Sequence, residues 1–171
     1  MGSNYRSQLG DGTTEYRSTP VQVASNVAAI AAGVSHSLFI TTDGKLWAMG
    51  DNSCGQLGDD TTIDRNTPVQ IASGVTAIVG GYDHSLYVTS DNKLWAMGCN
   101  RYGQLCDGTT TNRSTPVQVA SGVTSIAAGF WHSLYVTSDG KLWAAGRNDI
   151  GQLGDGNALF RNKPVLVVSG L

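Results

Sequence analysis

An all-β fold assembled from propeller-type blades is what this 171-residue sequence predicts, and three observations predict it. The chain repeats with a period of 48 residues, and a fixed period of that length marks a propeller or solenoid. Its composition suits strands: 22 glycines, one glutamate (Glu15) and four lysines stand against abundant Thr, Ser, Val, Tyr and Trp. Each repeat also divides into four short apolar runs, about one per 12 residues, as an antiparallel all-β chain does.

The period is read directly from single positions. His36, His84 and His132 are equally spaced, as are Gln8, Gln56, Gln104 and Gln152, then Pro20, Pro68, Pro116 and Pro164, then Trp47, Trp95 and Trp143. No insertion or deletion breaks the register. The chain is therefore one repeat domain over 1–171, with repeats 1–48, 49–96 and 97–144 and a partial repeat 145–171. The opening "MGSN" aligns with "MGDN" at 49, "MGCN" at 97 and "AGRN" at 145, so it reads as repeat sequence and not as an added tag.

In the last copy of the four-strand pattern the first strand is expected at Val123–Gly129, the second at Ser133–Thr137, the third at Lys141–Gly146 and the fourth at Pro164–Val168. The first strand is rich in small residues (Ala31-Ala32-Gly33, Ala127-Ala128-Gly129), which suits a crowded axis. The next two alternate Leu, Tyr or Phe, and Trp, which fill the outward taper of a blade. Between the second and third strands stand Asp43-Gly44, Asp91-Asn92 and Asp139-Gly140. These predict hairpin turns, and Asn in place of Gly is the substitution best suited to positive φ. The expected architecture is three four-stranded antiparallel meanders, a partial propeller, plus a surplus strand ("TPVQVA") near the N-terminus.

The phrase "AAGxxHSLYVTSDGKLWAxGxNxxGQLGDGTT" resembles the repeat of the regulator of chromosome condensation family and recurs through essentially the whole chain. The resemblance implies a propeller of the kind that family closes with seven blades. Its members include a guanine-nucleotide exchange factor, an enzyme inhibitor and a plant photoreceptor, so it does not select a role. No wedge or basic tail of the exchange-factor kind stands in this sequence. Of the clustered tryptophans a photoreceptor needs on the variable face, Trp131 alone is present.

Composition narrows the partners. The net charge of −2 without a Lys/Arg cluster argues against nucleic acid and anionic membranes. No apolar run approaches the roughly 20 residues of a membrane span, and no signal peptide opens the chain. The compartment stays open: the sequence reads as cytosolic, or as a processed or excised fragment. Cys54, Cys99 and Cys106 have no metal-ligand spacing. Cys99 and Cys106 could share a loop and oxidise; the alternative is three small, partly buried thiols. "GQLGDGTT" lacks the alternating acidic pattern of a calcium loop, and no phosphate-loop motif occurs, so neither metal nor cofactor is expected.

Ser133, His132 and Asp139 have the letters of a hydrolase triad. Adjacent strand residues point to opposite sides, and Asp139 lies about 20 Å along the chain from His132 at roughly 3.3 Å per residue. A triad needs all three within hydrogen-bond reach. A histidine repeated in every blade is better explained by construction, and His36, His84 and His132 are expected to be buried and bonded to backbone. Trp47, Trp95 and Trp143 are expected in core or inter-blade packing.

Variation between repeats is the functional signal. The second and fourth connections are nearly constant, whereas the first and third differ in every copy, and a meander places those two on one face of the disc. There stand Tyr82, Asp83, Phe130, Trp131, Arg101, Tyr102, Arg147 and Asp149, with aromatic and arginine types enriched at protein interfaces. Of the Phe130–Trp131 pair, Trp131 is expected to remain free while the other packs. The sequence therefore predicts a non-enzymatic protein-interaction scaffold. A carbohydrate-binding propeller lectin, or an excised or engineered segment that only assembles, are the alternatives. Blades apolar on both sides predict that the chain is a homo-oligomer, with a dimer closing a six-bladed ring as one form.

Overall fold

The structure, a computed structural model, describes residues 1–168; the rest of the partial repeat, 169–171, lies outside the described residues. Twelve strands are formed there, in three sheets of four consecutive strands each. The first blade holds β1 (Val27–Ala32), β2 (His36–Thr41), β3 (Leu46–Gly50) and β4 (Arg65–Ala72). The second holds β5 (Val75–Gly80), β6 (His84–Thr89), β7 (Leu94–Gly98) and β8 (Arg113–Ala120). The third holds β9 (Val123–Ala128), β10 (His132–Thr137), β11 (Leu142–Gly146) and β12 (Arg161–Val168). All neighbours within a blade pair antiparallel.

The predicted turns form as expected. Gly44, Asn92 and Gly140 have φ of 76°, 59° and 74°, and Thr41 O accepts from the Gly44 amide at 2.8 Å. These turns also join blades: the Val75 amide donates to Gly44 O at 2.9 Å and Val123 to Asn92 O at 2.9 Å. The constancy of the second and fourth connections follows, because each such turn is half of a blade-to-blade joint.

The fourth strands begin three residues before the predicted Pro, at Arg65, Arg113 and Arg161. Gly50, Gly98 and Gly146 pair with these arginines across a register shift, so the bulge lets pairing resume beyond the point where alternation is visible in sequence. The surplus N-terminal stretch lies over the first blade. The surplus strand expected at "TPVQVA" does not form: residues 19–24 join no sheet, and the stretch 1–24 closes on itself through a Gly2–Arg17 bridge and reaches the first blade through the Gly12 amide, which donates to Asn66 O at 2.8 Å.

The core sits between blades. One cluster joins Leu38, Ile40 and Leu46 of the first blade to Tyr87 and Met97 of the second; another joins Leu86, Val88 and Leu94 of the second to Tyr135 and Ala145 of the third. Each blade thus has a forward side of Leu and Val or Ile and a rear side carrying an aromatic ring. Trp47, Trp95 and Trp143 stack on Phe39, Tyr87 and Tyr135 at 6.2, 6.2 and 6.4 Å. Trp95 and Trp143 pack against the inter-blade clusters, as expected.

Candidate interaction face

Backbone geometry builds the face before any side chain does. Ser35, Asp83 and Trp131 carbonyls accept from the Asp51, Cys99 and Arg147 amides, each at 2.8 Å, so the first connection of every blade is tied to its own third connection. Around the axis, the Val34 amide donates to Tyr82 O at 3.3 Å and the Tyr82 amide to Phe130 O at 3.1 Å. The variable connections are held side by side on the side of the disc opposite the constant turns.

The third connections are rigid at their base. Asn52 donates to Asp59 (2.9 Å) and accepts from the Leu57 amide (3.0 Å), while Arg65 Nε donates to Asp59 at 2.5 Å. The same Asn–Asp–Arg lock recurs at Asn4, Asp11 and Arg17, at Asn100, Asp107 and Arg113, and at Asn148, Asp155 and Arg161. The hydrogen bond from Arg161 holds the Asp155 carboxyl below its ordinary range. "GQLGDGTT" is therefore a braced loop whose tip is free to differ.

On this base Tyr82, Phe130, Trp131 and Tyr102 form one aromatic cluster. Tyr82 and Phe130 lie 4.2 Å apart, Phe130 and Trp131 5.0 Å, Tyr82 and Trp131 5.6 Å, and Tyr102 and Trp131 5.5 Å between ring centroids. Arg101 lies 4.6 Å from the Tyr102 centroid and Arg147 4.8 Å from that of Trp131, within cation–π range. Asp149 accepts from Arg147 Nε (2.7 Å) and Nη2 (2.5 Å). That bidentate pair raises the Arg147 pKa and lowers that of Asp149, and it fixes the guanidinium over the indole.

Seven of the eight face residues proposed from sequence thus meet in one patch. Asp83 stands apart, half-buried beside the Cys54–Cys99 pair, its pKa raised by burial and by Asp51 against the pull of Arg6. Within the Phe130–Trp131 pair the structure differs from expectation. Phe130 is 56% exposed, while Trp131 is half-buried at the hub of three rings and a guanidinium. The cluster supplies more neighbours to an indole than to the phenyl nearer the axis. Phe160, 49% exposed and 4.9 Å from Tyr102, belongs to the patch and was not among the predicted residues. Its place in a variable third connection was the available signal.

The cysteine expectation is corrected. Cys54 and Cys99 form a disulfide with Cα atoms 5.0 Å apart, and Cys106 is a buried free thiol pushed up to about 12 by burial and by Asp107. Cys99 is drawn to the third connection of the preceding blade and not along its own loop to Cys106.

The histidine expectation is corrected in its partner. His36 Nε2 lies 2.9 Å from Ser85 Oγ and His84 Nε2 3.0 Å from Ser133 Oγ, each pair bridging neighbouring blades. Ser85 and Ser133 donate onward to Gln56 O (2.8 Å) and Gln104 O (2.7 Å), so the histidine must donate from Nε2. Each ring presses on Gly33, Gly81 or Gly129, where an added Cβ would overlap the imidazole. Ser133 is thus bound to the previous blade's histidine, and Asp139 to Lys141 and Thr137 at 2.6 Å each. The three letters do not assemble into a triad.

A profile described as "Regulator of chromosome condensation (RCC1) repeat" matches residues 1–40, 43–88 and 91–136, and a second of the same description matches 27–56, 75–104 and 123–152. Among solved structures, human WBSCR16 is similar at 24% identity with a TM-score of 0.82, over 97% of this chain and 46% of that one. Yeast RCC1 (Prp20), solved with Kap60 bound, is 27% identical with a TM-score of 0.72, over 86% and 38%. Prp20p of Saccharomyces cerevisiae, described with its binding to Gsp1p and histones, is 27% identical with a TM-score of 0.70, over 90% and 41%. This chain spans less than half the length of each.

Proposed function

Because this chain belongs to the regulator of chromosome condensation (RCC1) repeat family, we propose that it is a protein-interaction module which works through its loop face. The observation that supports this reading is the patch of Tyr82, Phe130, Trp131, Tyr102 and Phe160 with Arg101 and Arg147 laid over it. Aromatic rings and arginine are the side chains that dominate binding energy at protein interfaces. Their loops are braced from below, so little conformational freedom is lost on binding. The yeast relatives are themselves described with protein partners, Kap60 in one case and Gsp1p and histones in the other. A lectin with equivalent pockets would repeat its ligand residues blade by blade; here the first blade carries Val34 where the others carry Tyr82 and Phe130.

The test places a photo-crosslinking phenylalanine analogue at position 130, and in a second protein at Lys93 on the turn face. Adducts at 130 that unlabelled protein competes away, and that Trp131→Ala protein does not, support the reading. Equal capture at both positions, or competition indifferent to Trp131, overturns it.

A further inference from the structure

The two ends of the arc are the two halves of one joint. Inside the chain the joint occurs twice with the same parts: a forward-side histidine meets the next blade's serine, and forward-side Leu and Val or Ile meet its rear-side ring. At the third blade His132, Leu134, Val136 and Leu142 stand in those forward positions and are only half-buried, whereas their counterparts His84, Leu86, Val88 and Leu94 are buried. His132 has no described hydrogen-bond partner at Nε2 to match that of His84. At the first blade Ser37 and Phe39 hold the rear positions, and Ile30, counterpart of the packed Ile78 and Ile126, is 80% exposed.

Residues 1–24 lie over that rear side. Gln8 O accepts from Ser37 at 2.8 Å, and Val21 and Val23 roof a cleft of about 610 Å³ floored by Ile30, Phe39 and Met49. Residues 17–24, "RSTPVQVA", are identical to β8, yet they enter no sheet beyond the Gly2–Arg17 bridge. Their counterpart β12 is paired with β11 at four positions.

We propose that the rear side of the first blade is the docking site for the forward side of the third blade of a second copy, with residues 1–24 as a displaceable cover. The argument for a second copy is continuity: its third blade presents the surface that already meets a rear side twice within each chain. Residues 145–168 of the incoming copy and 1–24 of the receiving copy are equivalent by the 48-residue period and compete for one place. The cover yields, because its strand segment pairs with no strand of the first blade, whereas β12 is held in a ladder with β11. Gln152 O then replaces Gln8 O at Ser37, and His132 donates to the Ser37 oxygen. Two such joints close a ring of six blades, since a head-to-tail contact that returns on itself ends there. None of this depends on what the loop face binds.

The experiment is light scattering on the full chain and its variants up to about 100 μM, a range that detects weak self-association. The expected mass is twice 17.9 kDa. Leu134→Glu and Ile30→Glu should each be monomeric with unchanged circular dichroism, and mixing the two should restore dimer through the one joint left intact. Asn4→Ala, which loosens the cover, should tighten the dimer about tenfold, as removal of a competing intramolecular contact does. A monomer at every concentration, an open ladder of higher oligomers, a mixture that stays monomeric, or a dimer weakened by Asn4→Ala overturns the proposal.

Discussion

His84 Nε2 and Ser133 Oγ lie 3.0 Å apart across the joint between the second and third blades, and Ser133 passes the interaction on to Gln104 O. One hydrogen-bond chain therefore couples a strand of one blade, a strand of the next and the braced loop between them. His84→Ala leaves Ser133 without its donor in a buried site and should cost about 1–3 kcal/mol. Gly81→Ala should cost at least as much, since the new methyl overlaps the imidazole. Urea unfolding of both variants checks this.

The same burial makes the fold acid-sensitive. Burial lowers the His84 pKa from 6.5 to about 3, with His36 and His132 adding to it, and lowers His36 to about 4 against a small pull from Asp51. Between pH 6.5 and those values the unfolded chain binds protons that the folded chain refuses. Stability is therefore full above pH 6.5 and falls as the pH drops through this window, by up to about 1.4 kcal/mol per pH unit for each histidine. The Lys45 and Thr41 hydrogen bonds hold Asp43 at about 2, so surface carboxylates of that kind act lower on the scale. Melting temperatures at pH 7 and pH 5 should differ clearly for the native chain and less for His84→Gln.

Trp131→Ala should lower affinity for a loop-face partner by about 2 kcal/mol or more, the mark of a hot spot. Its neighbours are surface loops, so stability should fall by no more than about 1 kcal/mol. Lys93→Ala, on the turn face, should change neither. Calorimetry of unfolding and of binding separates the two effects.

Thiol titration should follow the cysteine arrangement. Native, unreduced protein should show no reactive thiol, because Cys106 is buried and its pKa stands at about 12. Denaturant alone should release one thiol, and reduction in denaturant should release all three. Three thiols without reductant would contradict the Cys54–Cys99 bond.

The blade was legible because its signals are local and repeated. Alternation, Asp-Gly turns and a 48-residue period each specify backbone geometry over a few residues, and every copy repeats the evidence. The grouping of Tyr82, Phe130, Trp131 and Tyr102 was legible for a related reason, since a meander forces alternate connections onto one side. What sequence left hidden crosses from blade to blade. His84 finds Ser133 at a separation of 49 residues, and Cys54 finds Cys99 at 45, both set by how neighbouring sheets nest. The relative exposure of Phe130 and Trp131 was hidden for the same reason, because Tyr82 and Tyr102 arrive from other connections to enclose the indole.

The amide links from Val34 to Tyr82 and from Tyr82 to Phe130 have an evolutionary consequence. They join successive blades near the axis through atoms that every residue except proline possesses. Side chains at 34, 82 and 130 are relieved of structural duty and can be exchanged while the girdle beneath them persists. A lineage carrying this repeat can remodel this face one substitution at a time, and a library randomised at those three positions should retain its fold in most members.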